Sequence, residues 1–295
     1  MLRDILKGSD PQITAVMGTI ISAQPDVIAL QGFDYDLQNA ALVAFATALN
    51  DGGLDLPYHF AAPSNGGLQT DIDLDGDGKI GGPGDAQGYG RFFGQGGMAI
   101  LSRYPIDTPK VQDFSTFLWK DLPGNLFPQT QSGPFPSTAA YEVQRLSSHG
   151  HWVVPIVHPN IGRFHILTFH ASPPVFDGPE DRNGRRNHDE VAFWSKYLDG
   201  AFSTSPDGKF ILMGDANLDP DRGDGRSEAI QTLLSHPTLQ DPLTKTTTVN
   251  WEQTGEMRVD YVLPSDDWTV LNAQVALENP TASRHRLVWV DVTKH

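Results

Sequence analysis

The chain has 295 residues with no cysteine, 39% hydrophobic residues, 29 Gly, 22 Pro and a formal net charge of −15. Zero cysteines exclude disulfides and thiol chemistry, and no apolar run is long enough to span a bilayer. An acidic surface repels polyanions, so tight non-specific binding of long nucleic acid is disfavoured, whereas small phosphate esters are not excluded.

The first residues, Met-Leu-Arg-Asp-Ile-Leu, lack a basic segment followed by an apolar one, so no signal peptide is visible. Residues 11–24 carry Ile13, Val16, Met17, Ile20 and Ile21 at helical spacing, after a Ser9-Asp10-Pro11 cap. Val27–Leu30 reads as a buried strand, and the Ala- and Leu-rich residues 37–49 as a second helix. The segment Asp71-Ile72-Asp73-Leu74-Asp75-Gly76-Asp77-Gly78-Lys79-Ile80 places carboxylates at alternate positions before a Gly and an Ile. This is the first half of a calcium loop of the Asp-x-Asp-x-Asp-Gly type. Position twelve from Asp73 is Gly84 where a Glu is usual, so Asp73, Asp75 and Asp77 would be closed by Asp85. Ca²⁺ there would tie down the long loop from Pro63 to Gly97. The alternative is an acidic turn without an ion.

Met98–Leu101 is another apolar strand, closed by Ser102-Arg103-Tyr104-Pro105. His149 and His151 precede a strand at Trp152–Val157 and read as surface histidines, with lining the cleft as the alternative. Phe164–Phe169 is the neighbouring strand across a Pro159-Asn160-Ile161-Gly162 turn. Residues 181–190 form the main local cluster of basic residues in an acidic chain and open a helix over residues 187–201. Arg185 and Asn187 at a helix start suit a phosphate. A salt-bridged helix start is the equal alternative.

Phe210–Met213 is an apolar strand that breaks at Gly214 and delivers Asp215 and Asn217 into a loop. An Asp there can orient or deprotonate a water, and an Asn amide can donate to an oxyanion. Both are also ordinary turn formers. A short helix at Ser227–Leu234 and strands at Arg258–Leu263, Thr269–Gln274 and Leu287–Val292 complete the chain. Early alternation and late strands indicate an α/β or α+β sandwich with more than one sheet. No internal repeat or linker divides residues 1–295, which read as one domain.

Six segments occur together in a telling order. They are Pro25-Asp26-Val27-Ile28-Ala29-Leu30-Gln31, the run from Gly97 to Ile106, Leu167-Thr168-Phe169-His170, Gly214-Asp215-Ala216-Asn217, Arg258-Val259-Asp260-Tyr261-Val262 and Ser283-Arg284-His285. The series resembles the endonuclease/exonuclease/phosphatase superfamily over nearly the whole chain. The resemblance implies a four-layer sandwich, with two mixed β-sheets packed face to face and flanked by helices. It also implies hydrolysis of phosphodiesters or phosphomonoesters with Mg²⁺ or Mn²⁺. By the same resemblance Asp215 orients the attacking water and Asn217 binds a phosphate oxygen. His285 faces the phosphate, Asp260 orients its ring, and His170 is the second histidine of the site.

The chain departs from the family pattern in three places. A first strand carrying an Asn that helps hold the metal has no counterpart. Gly32 stands where the main metal-binding Glu is expected. Arg284 replaces an Asp of the final motif. Asp34 or Asp36 would then reach the metal, or else cap the following helix. Arg284 would bring positive charge to a phosphate. The absent strand is best explained by a start upstream, with a signal peptide that would make the protein secreted or periplasmic. Otherwise it is cytoplasmic. The expected function is a metal-dependent phosphoesterase acting on a small phosphate ester, with no membrane partner. The alternatives are a nuclease of the same fold and an impaired relative acting as a binding module.

Overall fold

Two β-sheets lie face to face in the computed structural model, which describes residues 1–206 and 208–295. The N-terminal half contains α1 (Leu2–Lys7), α2 (Pro11–Ala23), β1 (Val27–Gln31), α3 (Ala40–Asp51), β2 (Tyr58–Phe60), β3 (Met98–Ser102), β4 (Gln112–Asp113), β5 (Gln129–Thr130), β6 (Gly133–Pro134) and α4 (Thr138–Val143). There follow β7 (His151–His158), β8 (Gly162–His170), α5 (Arg182–Leu198), β9 (Phe210–Asp215), α6 (Glu228–Leu234), β10 (Val249–Trp251), β11 (Gly255–Met257), β12 (Asp260–Pro264), β13 (Trp268–Val275) and β14 (Val288–Lys294).

The larger sheet has the order β12-β9-β8-β7-β4 and is mixed, because β8 and β9 run parallel while the other pairs are antiparallel. A parallel pair needs a long crossover, and α5 lies in it. The smaller sheet, β1-β3-β2, is antiparallel, and β13 and β14 form a separate antiparallel pair.

Period-two alternation distributes the apolar residues among the layers. Met98 and Ile100 of β3 meet Trp152, Val154, Phe164, Ile166 and Ile211 of the larger sheet between the sheets. Ala99 and Leu101 point the other way, onto Ile5, Ile20, Leu42 and Phe45 of the helices α1 to α3. Leu167, Phe169 and Leu212 face Val191, Phe193 and Trp194 of α5 and Ile230 of α6. Helix, sheet, sheet and helix therefore form four layers, as the resemblance implies.

Among the described residues β1 pairs only with β3 and β14 only with β13. Both strands line one continuous cavity of about 2150 Å³, together with residues of β8, β9 and β12.

Helix α5 begins at Arg182, five residues before the position expected from the sequence. Its buried stripe is polar: Arg186, Asn187, Asp189 and Glu190 are all buried. An apolar periodicity therefore starts only at Val191. The ribbons β4, β5, β6, β10 and β11 were not expected either, since strands of two or three residues carry no readable period.

Candidate active site

Three neighbouring strands present side chains at one edge of the larger sheet. His170 ends β8, Asp215 ends β9 and Asp260 opens β12, and the register pairs His170 with Asp215 and Asp215 with Asp260. Gly214 makes the last step possible, because a Cβ there would come 2.3 Å from the Phe169 carbonyl oxygen. Asn217 adopts a left-handed φ of 47°, a conformation Asn tolerates better than most residues. Its N–H donates to Asp215 Oδ1 at 2.8 Å and closes the turn.

The fourth side chain arrives from far along the chain. His285 precedes β14, forms an isolated bridge with Val249 and packs its ring edge-on to Trp251 at 5.9 Å. Its Nδ1 lies 3.1 and 3.0 Å from the two Asp260 oxygens and 3.7 Å from Asp215 Oδ2. A carboxylate only accepts, so Nδ1 carries the proton. Burial alone would depress the His285 pKa. The Asp260 hydrogen bond and the two carboxylate charges outweigh it and raise the value to about 9.

Asp215 is buried, and burial with the neighbouring Asp260 charge raises its pKa to about 7. His285 and the Asn217 N–H offset part of that rise. His170 Nε2 sits 3.4 Å from Asp215 Oδ2. Burial, with His149 and His285 nearby, holds the His170 pKa well below its ordinary value, so the ring is neutral at physiological pH. The site thus combines a carboxylate poised near neutrality, a protonated imidazole and a neutral one.

Asp215, Asp260 and His285 place their donor atoms within 4.8 Å of one another. Two carboxylates against one imidazolium leave excess negative charge, which adds to burial in raising the Asp215 pKa. The carboxylate oxygens of Asp215 and Asp260 are donors of the kind a hard divalent cation takes, whereas the protonated His285 ring is not. Gln31, at the end of β1, lines the same cavity.

The structure relocates several residues singled out in the sequence. Asp36 does not join the site: its carboxylate accepts the N–H groups of Gln38, Ala40 and Ala41 and caps α3. Asp34 accepts from the Gly96 N–H at 3.0 Å, and Asp34 and Asp36 border a separate small cavity beside Phe92 and Phe93. Neither belongs to the Asp215 cluster. Asn187 is fully buried, its amide donating to the Ser172 and Ala216 carbonyls, so it has no surface for substrate. Arg185 donates to the Glu180 carbonyl and lies 4.0 Å from Asp181, the salt-bridged helix start that was the alternative reading. Arg284 is exposed at the cavity rim.

His149 and His151 are not surface residues. His151 is buried between Ser147 Oγ and the Glu190 carbonyl, with Phe193 and Trp194 around its ring. His149 stacks on His170 with centroids 4.1 Å apart and an interplanar angle of 10°. It lines the cavity, the alternative the sequence left open, since nothing in Ser-Ser-His-Gly-His marks which ring would meet another.

In the acidic loop Asp73, Asp75 and Asp85 bring carboxylate oxygens within 4.8 Å of one another. Asp85 is buried and accepts from Leu74 N and Gly82 N, which folds the loop around it. Burial, with Asp77, Asp85 and Asp73 close by, raises the Asp75 pKa. Asp77 lies outside this group, and its Oδ1 accepts from the Lys79 N–H at 2.8 Å. Asp75, Asp77 and Gly84 line the cavity that holds Asp215, so the loop does reach the rim of the site.

No curated protein sequence matches the chain. Solved structures similar to it include an endonuclease/exonuclease/phosphatase from Beutenbergia cavernae DSM 12333, at a TM-score of 0.62 and 15% identity, covering 97% of this chain and 66% of that one. A family protein from Leptotrichia buccalis C-1013-b matches at 0.56 and 18%, over 97% and 94% of the two chains. The human Nocturnin catalytic domain with bound sulfate anion matches at 0.53 and 14%, over 97% and 87%. At these identities they show a shared fold. A sequence model described as the Endonuclease/Exonuclease/phosphatase family matches residues 5–285. The chain therefore belongs to the endonuclease/exonuclease/phosphatase family.

Proposed function

We propose that this protein hydrolyses small or exposed phosphate esters with a divalent cation, Mg²⁺ or Mn²⁺. The observation that carries the reading is the row His170, Asp215, Asp260 at three adjacent strand ends, closed by His285. A cation with Asp260 as one oxygen ligand would neutralise charge on the phosphoryl oxygens and leave Asp215 free to act as a base. Asp215, with its pKa near 7, accepts a proton from water at neutral pH. His285, held protonated by Asp260, donates to or stabilises the leaving oxygen. Neutral His170 offers a hydrogen bond, and Arg284 supplies charge at the rim.

Asn217 has a different first duty. Its amide donates to the Ala171 carbonyl at 2.9 Å and to Asp215 Oδ2 at 3.3 Å. Both hydrogens are committed to holding the turn, and a phosphate oxygen would have to compete for the longer bond.

The net charge of −15 favours small esters over nucleic acid. Among the described residues no helix is long and apolar enough to cross a membrane. The Asp73, Asp75 and Asp85 group takes Ca²⁺ in this reading and stiffens the rim loop. The test is a panel of bis(p-nitrophenyl) phosphate, p-nitrophenyl phosphate and plasmid DNA with Mg²⁺, Mn²⁺ or Ca²⁺. Metal-dependent turnover of the small esters, lost in His285→Ala, is expected. Absence of turnover on every substrate would sink the proposal, and preferential plasmid cleavage would replace it with a nuclease.

A further inference from the structure

The buried polar stripe of α5 lies behind the site rather than in it. Glu190 accepts four hydrogen bonds and donates none. Its Oε1 receives Ser148 N at 2.6 Å and Ser148 Oγ at 2.7 Å. Its Oε2 receives Ser172 N and Ser172 Oγ, each at 2.7 Å. A carboxylate saturated in this way is rigid, because each charge-assisted bond resists displacement.

The two clamped serines flank the stacked rings. Ser148 precedes His149, and Ser172 follows His170 by two residues. Ser148 Oγ gives its proton to Glu190, so it faces His149 Nδ1, 3.1 Å away, as an acceptor. His149 Nδ1 also lies 3.1 Å from the His170 carbonyl oxygen. A carbonyl can only accept, so His149 must hold its proton on Nδ1, with ring and tautomer both set. Asn187 stands one turn earlier on the same helix face, where an i,i+3 pair meets. Its amide reaches the Ser172 carbonyl at 2.7 Å and the Ala216 carbonyl at 2.8 Å. Ala216 lies between Asp215 and Asn217. One helix face therefore grips the loops that carry His170, Asp215 and Asn217.

We propose that Glu190, assisted by Asn187, is a positioning residue: through Ser148 and Ser172 it holds the His149–His170 stack and so fixes His170 Nε2 against Asp215. The role rests on the phosphoesterase reading for its kinetic consequence but not for its structural one. Glu190→Gln would turn an amide NH₂ toward donors. The expected result is a loss of about a hundredfold in kcat with KM within about twofold, because small misplacement of a reacting group costs rate more than binding. Ser148→Ala and Ser172→Ala remove one hydroxyl each and should cost about fivefold to tenfold. In a His170→Ala background the same serine changes should cost nothing further, since their effect passes through that ring.

Stacked rings also shift each other's ring-proton resonances, which is a readout independent of turnover. Glu190→Gln, or Ser148→Ala if the first variant does not fold, should abolish the shifts of His149 and His170 at fixed pH. Unchanged ring shifts would overturn the proposal. So would kcat within threefold of wild type in a folded Glu190→Gln, or serine effects that persist undiminished in His170→Ala. If the wild type turns over no ester but the ring shifts still collapse in the variants, the phosphoesterase reading fails and the positioning role stands.

Discussion

Asp260→Asn tests the electrostatics of the site most directly. The carboxylate lies 3.0 Å from His285 Nδ1 and raises that ring's pKa to about 9. It also adds to the burial that lifts Asp215 to about 7. Activity that needs Asp215 ionised and His285 protonated should rise through about pH 7 and fall through about pH 9. Removing the Asp260 charge lowers both pKa values, so both limbs should move to lower pH. At pH 8 a ring of pKa 9 is roughly 90% protonated, whereas a ring of ordinary pKa is only about 3% protonated. The remaining Asp215 charge at 3.7 Å retains part of the effect, so protonation alone predicts a tenfold to thirtyfold loss of kcat at pH 8. The loss should shrink toward pH 6.

Stability should follow the same sign. A raised histidine pKa contributes stability that is fully present below the unfolded value and lost as pH rises through the folded one. The gap in melting temperature between wild type and Asp260→Asn should therefore be open at pH 6 and close above about pH 9. The measurements are kcat against pH for bis(p-nitrophenyl) phosphate and melting curves across the same range. A basic limb still near pH 9 in the variant, or limbs that move upward, would refute the assignment.

Three further changes bear on the site. Asp215→Asn removes the proton acceptor, so kcat should fall by about 10²- to 10⁴-fold and the limb near pH 7 should vanish; survival of that limb would place it on another group. Gly32→Glu supplies the oxygen ligand absent from the end of β1. No heavy atom lies within 4 Å of the added Cβ, but the φ of 73° is left-handed, so tighter Mn²⁺ binding by calorimetry should come with a loss of about 1–2 kcal/mol in stability. Unchanged affinity would mean that this strand end does not face the cation. Adding EGTA should lower the melting temperature of the wild type but not of Asp85→Ala, and an unaltered wild-type curve would remove Ca²⁺ from the acidic loop.

Much of the fold was legible because apolar runs carry their own period. Phe210–Met213 and Leu167–Phe169 announce strands whatever surrounds them, and Asp10 with Pro11 announces a helix. The side chains His170, Asp215, Asp260 and His285 were legible through their order along the chain. Other parts were hidden for identifiable reasons. The α5 start was missed because its buried face is made of Arg186, Asn187, Asp189 and Glu190, which read as surface. Asp34 and Asp36 were left open between ligand and cap because a carboxylate that accepts backbone N–H groups has the same letter as one that binds a cation.

The sequence by itself determined most element types, because these follow from periodicity over short spans, and the order of six segments carried the family resemblance that implies the four-layer class and the chemistry of the site. Only the tertiary structure decided which groups meet. The register of β8, β9 and β12 sets His170, Asp215 and Asp260 side by side, and a loop far along the chain brings His285 to Asp260. It also decided which way protons are held, since the pKa values near 7 and 9 arise from burial and from charges remote in sequence. Proximity across a fold is a sum of many weak packing choices, and no local pattern of residues encodes it.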